Sequence, residues 1–167
     1  MYEYTPIYTR KKELLTVSAL LTVAAVLMVA SKLPWTPLPA LWQLASFVLF
    51  TGAILVTVRF LMKSYTYCVS FDRESASRAP EFTIVERSGK RVQTVCRILL
   101  SDILEAERVT KENGASLKAK RRGKNTWQYY AELSAPDLCQ LTVQDGDEWY
   151  FLLLQADDRL LSFFKNT

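Results

Sequence analysis

Two long stretches without a charged side chain occupy the first third of this 167-residue chain. Leu14 to Ala30, LLTVSALLTVAAVLMVA, is seventeen residues, and Ala40 to Val58, ALWQLASFVLFTGAILVTV, is nineteen. A hydrocarbon core about 30 Å thick needs about 20 apolar residues of helix, so each run is long enough to cross it. A helix of a soluble core keeps one solvent-facing stripe. These runs have none, because Thr16, Ser18, Thr22, Gln43, Ser46, Thr51 and Thr57 are all small or uncharged. A cleaved signal peptide fits less well. Arg10, Lys11 and Lys12 do precede the first run, but it exceeds an ordinary signal core, no A-x-A-like site follows it, and a second apolar run arrives after a short link. The reading is a hairpin of two transmembrane helices.

Lysine and arginine are retained on the cytoplasmic side of such helices. Arg10, Lys11 and Lys12 flank the first helix and Arg59 and Lys63 the end of the second, while the link Ser31 to Pro39 carries only Lys32, with three prolines and Trp35 suited to a turn at the outer interface. The expectation is a multi-pass protein of the cell membrane with both termini cytoplasmic: a tail over 1–13, a hairpin over 14–62 and a cytoplasmic domain over 63–167. Small residues at Ser18, Thr22, Ser46, Gly52, Ala53 and Thr57 allow close helix packing. No ionisable residue lies inside either run, which argues against an ion or proton pathway.

The chain contains no histidine, which removes Ser-His, Cys-His and histidine-ligated zinc chemistry from a single copy. Cys68, Cys96 and Cys139 are isolated and read as structural thiols of a reducing compartment. Five scattered glycines form no phosphate loop. Asp145, Asp147 and Glu148 lack the spacing of a calcium loop and read as a hairpin turn, and Asp157 and Asp158 read as charges at a helix N-terminus. No catalytic, cofactor or metal site emerges, and the expectation is a protein that is not an enzyme. From Lys63 onward sixteen Lys and Arg face fifteen Asp and Glu, a balance that is not a nucleic-acid footprint.

The domain reads as strands. Ser64 to Phe71 alternates Tyr65, Tyr67, Val69 and Phe71 against smaller polar residues, the period of a half-buried strand. After a loop from Asp72 to Pro80, runs at 81–87 and 91–98 flank the turn Ser88-Gly89-Lys90. Further strands are expected at 102–109, 126–133, 138–144 and 148–155, with 110–125 a loop. A helix over 156–165 follows, with Asp157 as its N-cap and Leu160, Leu161 and Phe164 on one face.

Seven short antiparallel strands closed by a C-terminal helix resemble the pleckstrin-homology superfold. The whole chain resembles bacterial membrane proteins that carry a PH-like domain behind a two-helix hairpin. The resemblance implies a membrane-anchored α+β protein: a PH-like seven-stranded antiparallel barrel with a capping helix, serving as a non-enzymatic interaction or scaffolding module. Such a module is an accessory or regulatory subunit that binds a protein partner or another copy of itself. Inositide-binding PH domains cluster basic residues on the first hairpin loop. Here that loop, 72–81, mixes Arg73 and Arg78 with Asp72, Glu74 and Glu81.

The basic cluster lies elsewhere, at Lys118, Lys120, Arg121, Arg122 and Lys124. If the first strand climbs from the membrane and the strands alternate in direction, 110–125 returns to the membrane side. The five cations then form a candidate contact with anionic lipid head groups, worth about 1 kcal/mol each near such a surface. A sensor of lipids or small ligands using 118–124 is the alternative function.

Overall fold

The computed structural model describes residues 1–70 and 80–165, so Phe71 of the expected strand 64–71 and positions 72–79 of the expected loop 72–80, with Arg73 and Arg78, lie outside the described residues. The chain divides into two units. One comprises 8–63 and 131–134, the other 1–7, 64–130 and 135–167.

The helical unit is built from α1 (Lys11–Ala30) and α2 (Pro39–Val56), the latter extended by a widened π turn over Thr57–Leu61. Both are long and apolar enough to cross a membrane, and only 11% of each apolar window is buried, whereas a soluble-core helix would be mostly covered. Their mutual contact uses small residues. Ala24 and Ala53 are buried, and the Ser46 hydroxyl donates to the Ala24 carbonyl at 2.8 Å. Thr16, Thr22, Thr51 and Thr57 each return a hydroxyl to the carbonyl four residues earlier, so these four hydroxyls are satisfied without water.

At the end of the hairpin where α1 begins and α2 stops, neither helix has a side-chain cap of its own. Arg10 precedes α1 in the left-handed region, at φ 50°, which costs a non-glycine residue about 1–2 kcal/mol. The conformation is held by its guanidinium, which donates to the carbonyls of Leu61, at the end of the π turn, and, at 2.8 Å, of Lys63. Residues Ala131 to Ser134 complete this end. Glu132 accepts the Thr9 N–H at 2.8 Å, and Glu13 accepts the Leu133 N–H at 2.6 Å. Both carboxylates are buried, 3% exposed for Glu13 and 5% for Glu132.

The second unit contains two four-stranded sheets. In sheet A the order is β1 (Tyr2–Tyr4), β2 (Lys63–Ser70), β3 (Glu81–Ser88) and β4 (Arg91–Leu99). In sheet B it is β5 (Ile103–Arg108), β7 (Leu138–Asp145), β8 (Glu148–Gln155) and β6 (Thr126–Tyr129). The alternation expected in β2 is observed: Tyr65, Tyr67 and Val69 are fully buried. The Tyr67 hydroxyl joins three strands, donating to the Tyr129 carbonyl and accepting the Gln155 N–H. In β8, Phe151 to Gln155 are buried without a break, as a central strand covered on both faces requires. Helix α4 (Asp158–Lys165) buries Leu160, Leu161 and Phe164, with Phe164 edge-on to Phe82 at 4.9 Å. Its N-cap is as expected, with the Asp157 carboxylate accepting the Leu160 N–H at 2.8 Å.

Three expectations need correction. There are eight strands among the described residues, in two sheets, and no closed barrel. The extra strand is β1, from the stretch read as a tail, and it pairs antiparallel with β2 from Tyr2↔Val69 to Tyr4↔Tyr67. The outer edge of β2 is thereby filled, where a closed barrel would need it to join the other end of the sheet. Second, β6 stops at Tyr129 and runs parallel to β8. After Tyr130 the chain passes through Ala131–Ser134, which belongs to the helical unit, and through turns at 133–134 and 136–137 before β7, and β8 lies between β6 and β7. Third, the expected loop 110–125 contains helix α3 (Gly114–Lys120).

Candidate functional site

Helix α3 organises the basic stretch. Asn113 sets it up by accepting the Thr110 N–H at 2.7 Å and donating to the Arg108 carbonyl at 2.9 Å, which turns the chain directly after β5. Leu117 is buried beneath the helix. Lys120 reaches back to Glu105 at 3.4 Å and Glu107 at 3.3 Å on β5, and its ammonium is held above the usual lysine range by the hydrogen bond to Glu107 and then by the Glu105 charge. Gly123, at φ 78°, lets the chain leave for β6.

The five expected contact residues therefore do not behave alike. Lys120 is neutralised on β5. Arg121 is partly covered, and its Nε is buried without a hydrogen-bond partner. Lys118, Arg122 and Lys124 are exposed and make no ion pair among the described residues. The result is a short basic helix tied to the edge of sheet B, with Lys118 on the helix and Arg122 and Lys124 in the turn that follows it. It can attract anionic groups.

The acidic candidates resolve into structure. Asp145 faces Glu148 across the β7–β8 turn, and Gly146 takes φ 60° there. Asp157 caps α4 and accepts the Tyr2 hydroxyl at 2.7 Å, while Asp158 lies 3.1 Å from Arg108. No group of three His, Cys, Asp or Glu is placed to hold a metal among the described residues. The thiols lie on β2, β4 and β7, and burial pushes Cys96 up to about 11 and Cys139 up to about 12, so neither is a nucleophile at neutral pH.

A polar hollow of about 270 Å³ opens between Glu81, Arg97, Asp102, Asp145 and Tyr150. Arg97 lies 3.6 Å from Glu81, leaving the other two carboxylates to set its sign. The hollows on the helical unit are apolar: Leu21 and Phe50 border both, one running toward Met28 and the other toward Met62.

Sequence reasoning missed Glu13 and Glu132. The one available signal was that Glu13 is the only acidic residue beside either apolar run. Nothing marked Glu132, which sits in an alternating stretch read as strand. Comparison with protein-family models, curated proteins and solved structures finds no match.

Proposed function

We propose that this chain is a membrane-anchored, non-enzymatic interaction module whose α3 face recognises an acidic surface on a protein partner at the cytoplasmic side of the cell membrane. The observation that carries the reading is the fixing of α3. Buried Leu117 and the two ion pairs of Lys120 hold Lys118, Arg122 and Lys124 in a set arrangement, where a solvated loop would leave them mobile. Preorganised side chains lose less entropy on binding, and charge complementarity adds to encounter rate and register.

Anchoring is supported by connectivity. The chain leaves sheet A after β1, runs through both helices and re-enters the same sheet as β2, and two crossings return a chain to the side it left. The cytoplasmic assignment rests on the excess of Arg10, Lys11, Lys12, Arg59 and Lys63 over the lone Lys32. From the PH-like resemblance the proposal keeps the general plan: sheets covered by a C-terminal helix, serving as an accessory or regulatory subunit. The exposure of the same three cations also favours a second reading, contact with anionic lipid head groups.

The test uses the full-length protein carrying Lys118→Glu, Arg122→Glu and Lys124→Glu together. Proteins that co-purify with the parent in neutral detergent should be lost from this variant, with thermal unfolding unchanged. If protection of 118–124 from hydrogen exchange instead depends on anionic lipid in nanodiscs, the lipid reading replaces the protein one. A variant that keeps every partner and exchanges identically in neutral and anionic bilayers ends both.

A further inference from the structure

The segment Ala131–Ser134 belongs to the helical unit yet is spliced between two strands of sheet B. We propose that it is a conformational tether, clasped by Glu13 and Glu132, through which a rearrangement of the α1 and α2 ends is passed to strands β6 and β7. The inference does not depend on the interaction reading.

The clasp end is specific. A Glu in the third position of a helix ordinarily folds back onto the N–H at its own N-cap. Glu13 holds that position in α1, but its carboxylate accepts the Leu133 N–H at 2.6 Å. In exchange Glu132 accepts the Thr9 N–H at 2.8 Å, bringing negative charge to the start of α1. Arg10, between Thr9 and α1, is bonded to the Leu61 and Lys63 carbonyls where α2 ends. Residues 9 to 13 thus hold the end of α2 on one side and the 131–134 segment on the other, and a shift of α1 against α2 strains the clasp. Charged, buried hydrogen bonds of this kind are made or broken as a set, because a carboxylate left unpaired there is costly.

The strand end is short and stiff. One residue, Tyr130, separates Ala131 from β6, and β6 is four residues long and pairs with β8 alone. On the return, Pro136 fixes its own backbone, and Asp137 sits in the left-handed region at φ 54°, its carbonyl accepting the Ala156 N–H at 3.1 Å. Little slack remains to absorb movement of 131–134. By contrast, β3 and β4 are joined by their own two-residue turn, and β4 meets β6 through the Tyr129 hydroxyl, which donates to the Val95 carbonyl at 3.4 Å, so β3 is the strand to serve as control.

Hydrogen exchange on the full-length protein in nanodiscs tests this directly. Glu13→Ala and Glu132→Ala should each raise exchange of 126–130 and 135–139 about tenfold, with 82–87 unchanged. Glu107→Ala, which removes a sheet B carboxylate outside the clasp, should leave 135–139 as in the parent. Where the alanine variants fail to fold, Glu13→Gln and Glu132→Gln keep the accepting oxygen without its charge and should give the same pattern at about threefold. Unchanged exchange in β6 and β7, or an equal rise in every strand, overturns the proposal.

Discussion

At the scale of single residues, burial decides how the cysteines and tyrosines titrate. Burial raises Cys96 to about 11 and Cys139, Tyr129 and Tyr150 to about 12; nearby charges add to the shift at both tyrosines, while Arg108 and Lys165 oppose it at Cys139. At pH 8 a thiol titrating near 11 is thiolate in about one molecule in a thousand, so iodoacetamide should label Cys96 and Cys139 only after unfolding. The sign for stability follows from proton release. Below pH about 7.5 these groups are protonated in both states and the folded chain carries no penalty from them. Above it the unfolded chain loses protons that the folded chain retains, so the urea midpoint should fall steadily as pH rises from 9 toward 12, by at most about 1.4 kcal/mol per pH unit for each group. A midpoint flat to pH 11 would mean that these side chains are solvated. That Cys68, Cys96 and Cys139 fall within strands was readable from their alternating neighbours. The depth of each thiol was not, because it depends on which strand becomes central.

At the scale of elements, two helices make opposite demands on the sequence. Helix α4 announces itself, since Asp157 caps it and Leu160, Leu161 and Phe164 recur at helical spacing into a buried face. Ending the chain after Gln155 should expose Phe82 and its neighbours and cost several kcal/mol, at about 1.5–3 kcal/mol per large side chain buried. A denaturant midpoint unaltered by the truncation would show that α4 covers nothing. Helix α3 has no such pattern. A single apolar residue, Leu117, anchors it, and its other support is Lys120 on Glu105 and Glu107, partners more than ten positions away. Leu117→Ala should cost about 2–5 kcal/mol and release the 114–124 stretch to fast exchange. Glu105→Gln with Glu107→Gln should loosen the same stretch while changing global stability little, because exposed ion pairs are screened by solvent.

At the scale of the whole molecule, the chain passes between its two units at 7/8, 63/64, 130/131 and 134/135. With both helices spanning, single cysteines at Thr36 and Ser116 in a background of Cys68→Ala, Cys96→Ala and Cys139→Ala should differ toward an impermeant maleimide on intact cells: Thr36 labels and Ser116 does not. Labelling of Ser116 alone would reverse the orientation. The hairpin, the strands and α4 were determined by the sequence itself, because uncharged runs, period-two alternation and an N-cap with helical spacing are local patterns whose cause lies within a few residues. Other features needed the folded chain. Tyr2–Tyr4 is too short to declare itself and becomes a strand only because β2, sixty residues on, offers an open edge. The parallel pairing of β6 with β8 joins residues more than twenty positions apart, and Ala131–Ser134 finds hydrogen-bond partners in Glu13 and Thr9, more than a hundred residues earlier. Local pattern selects an element's type, but which edges, carbonyls and carboxylates remain unpaired, and what meets them, is settled only when distant parts of the chain come together.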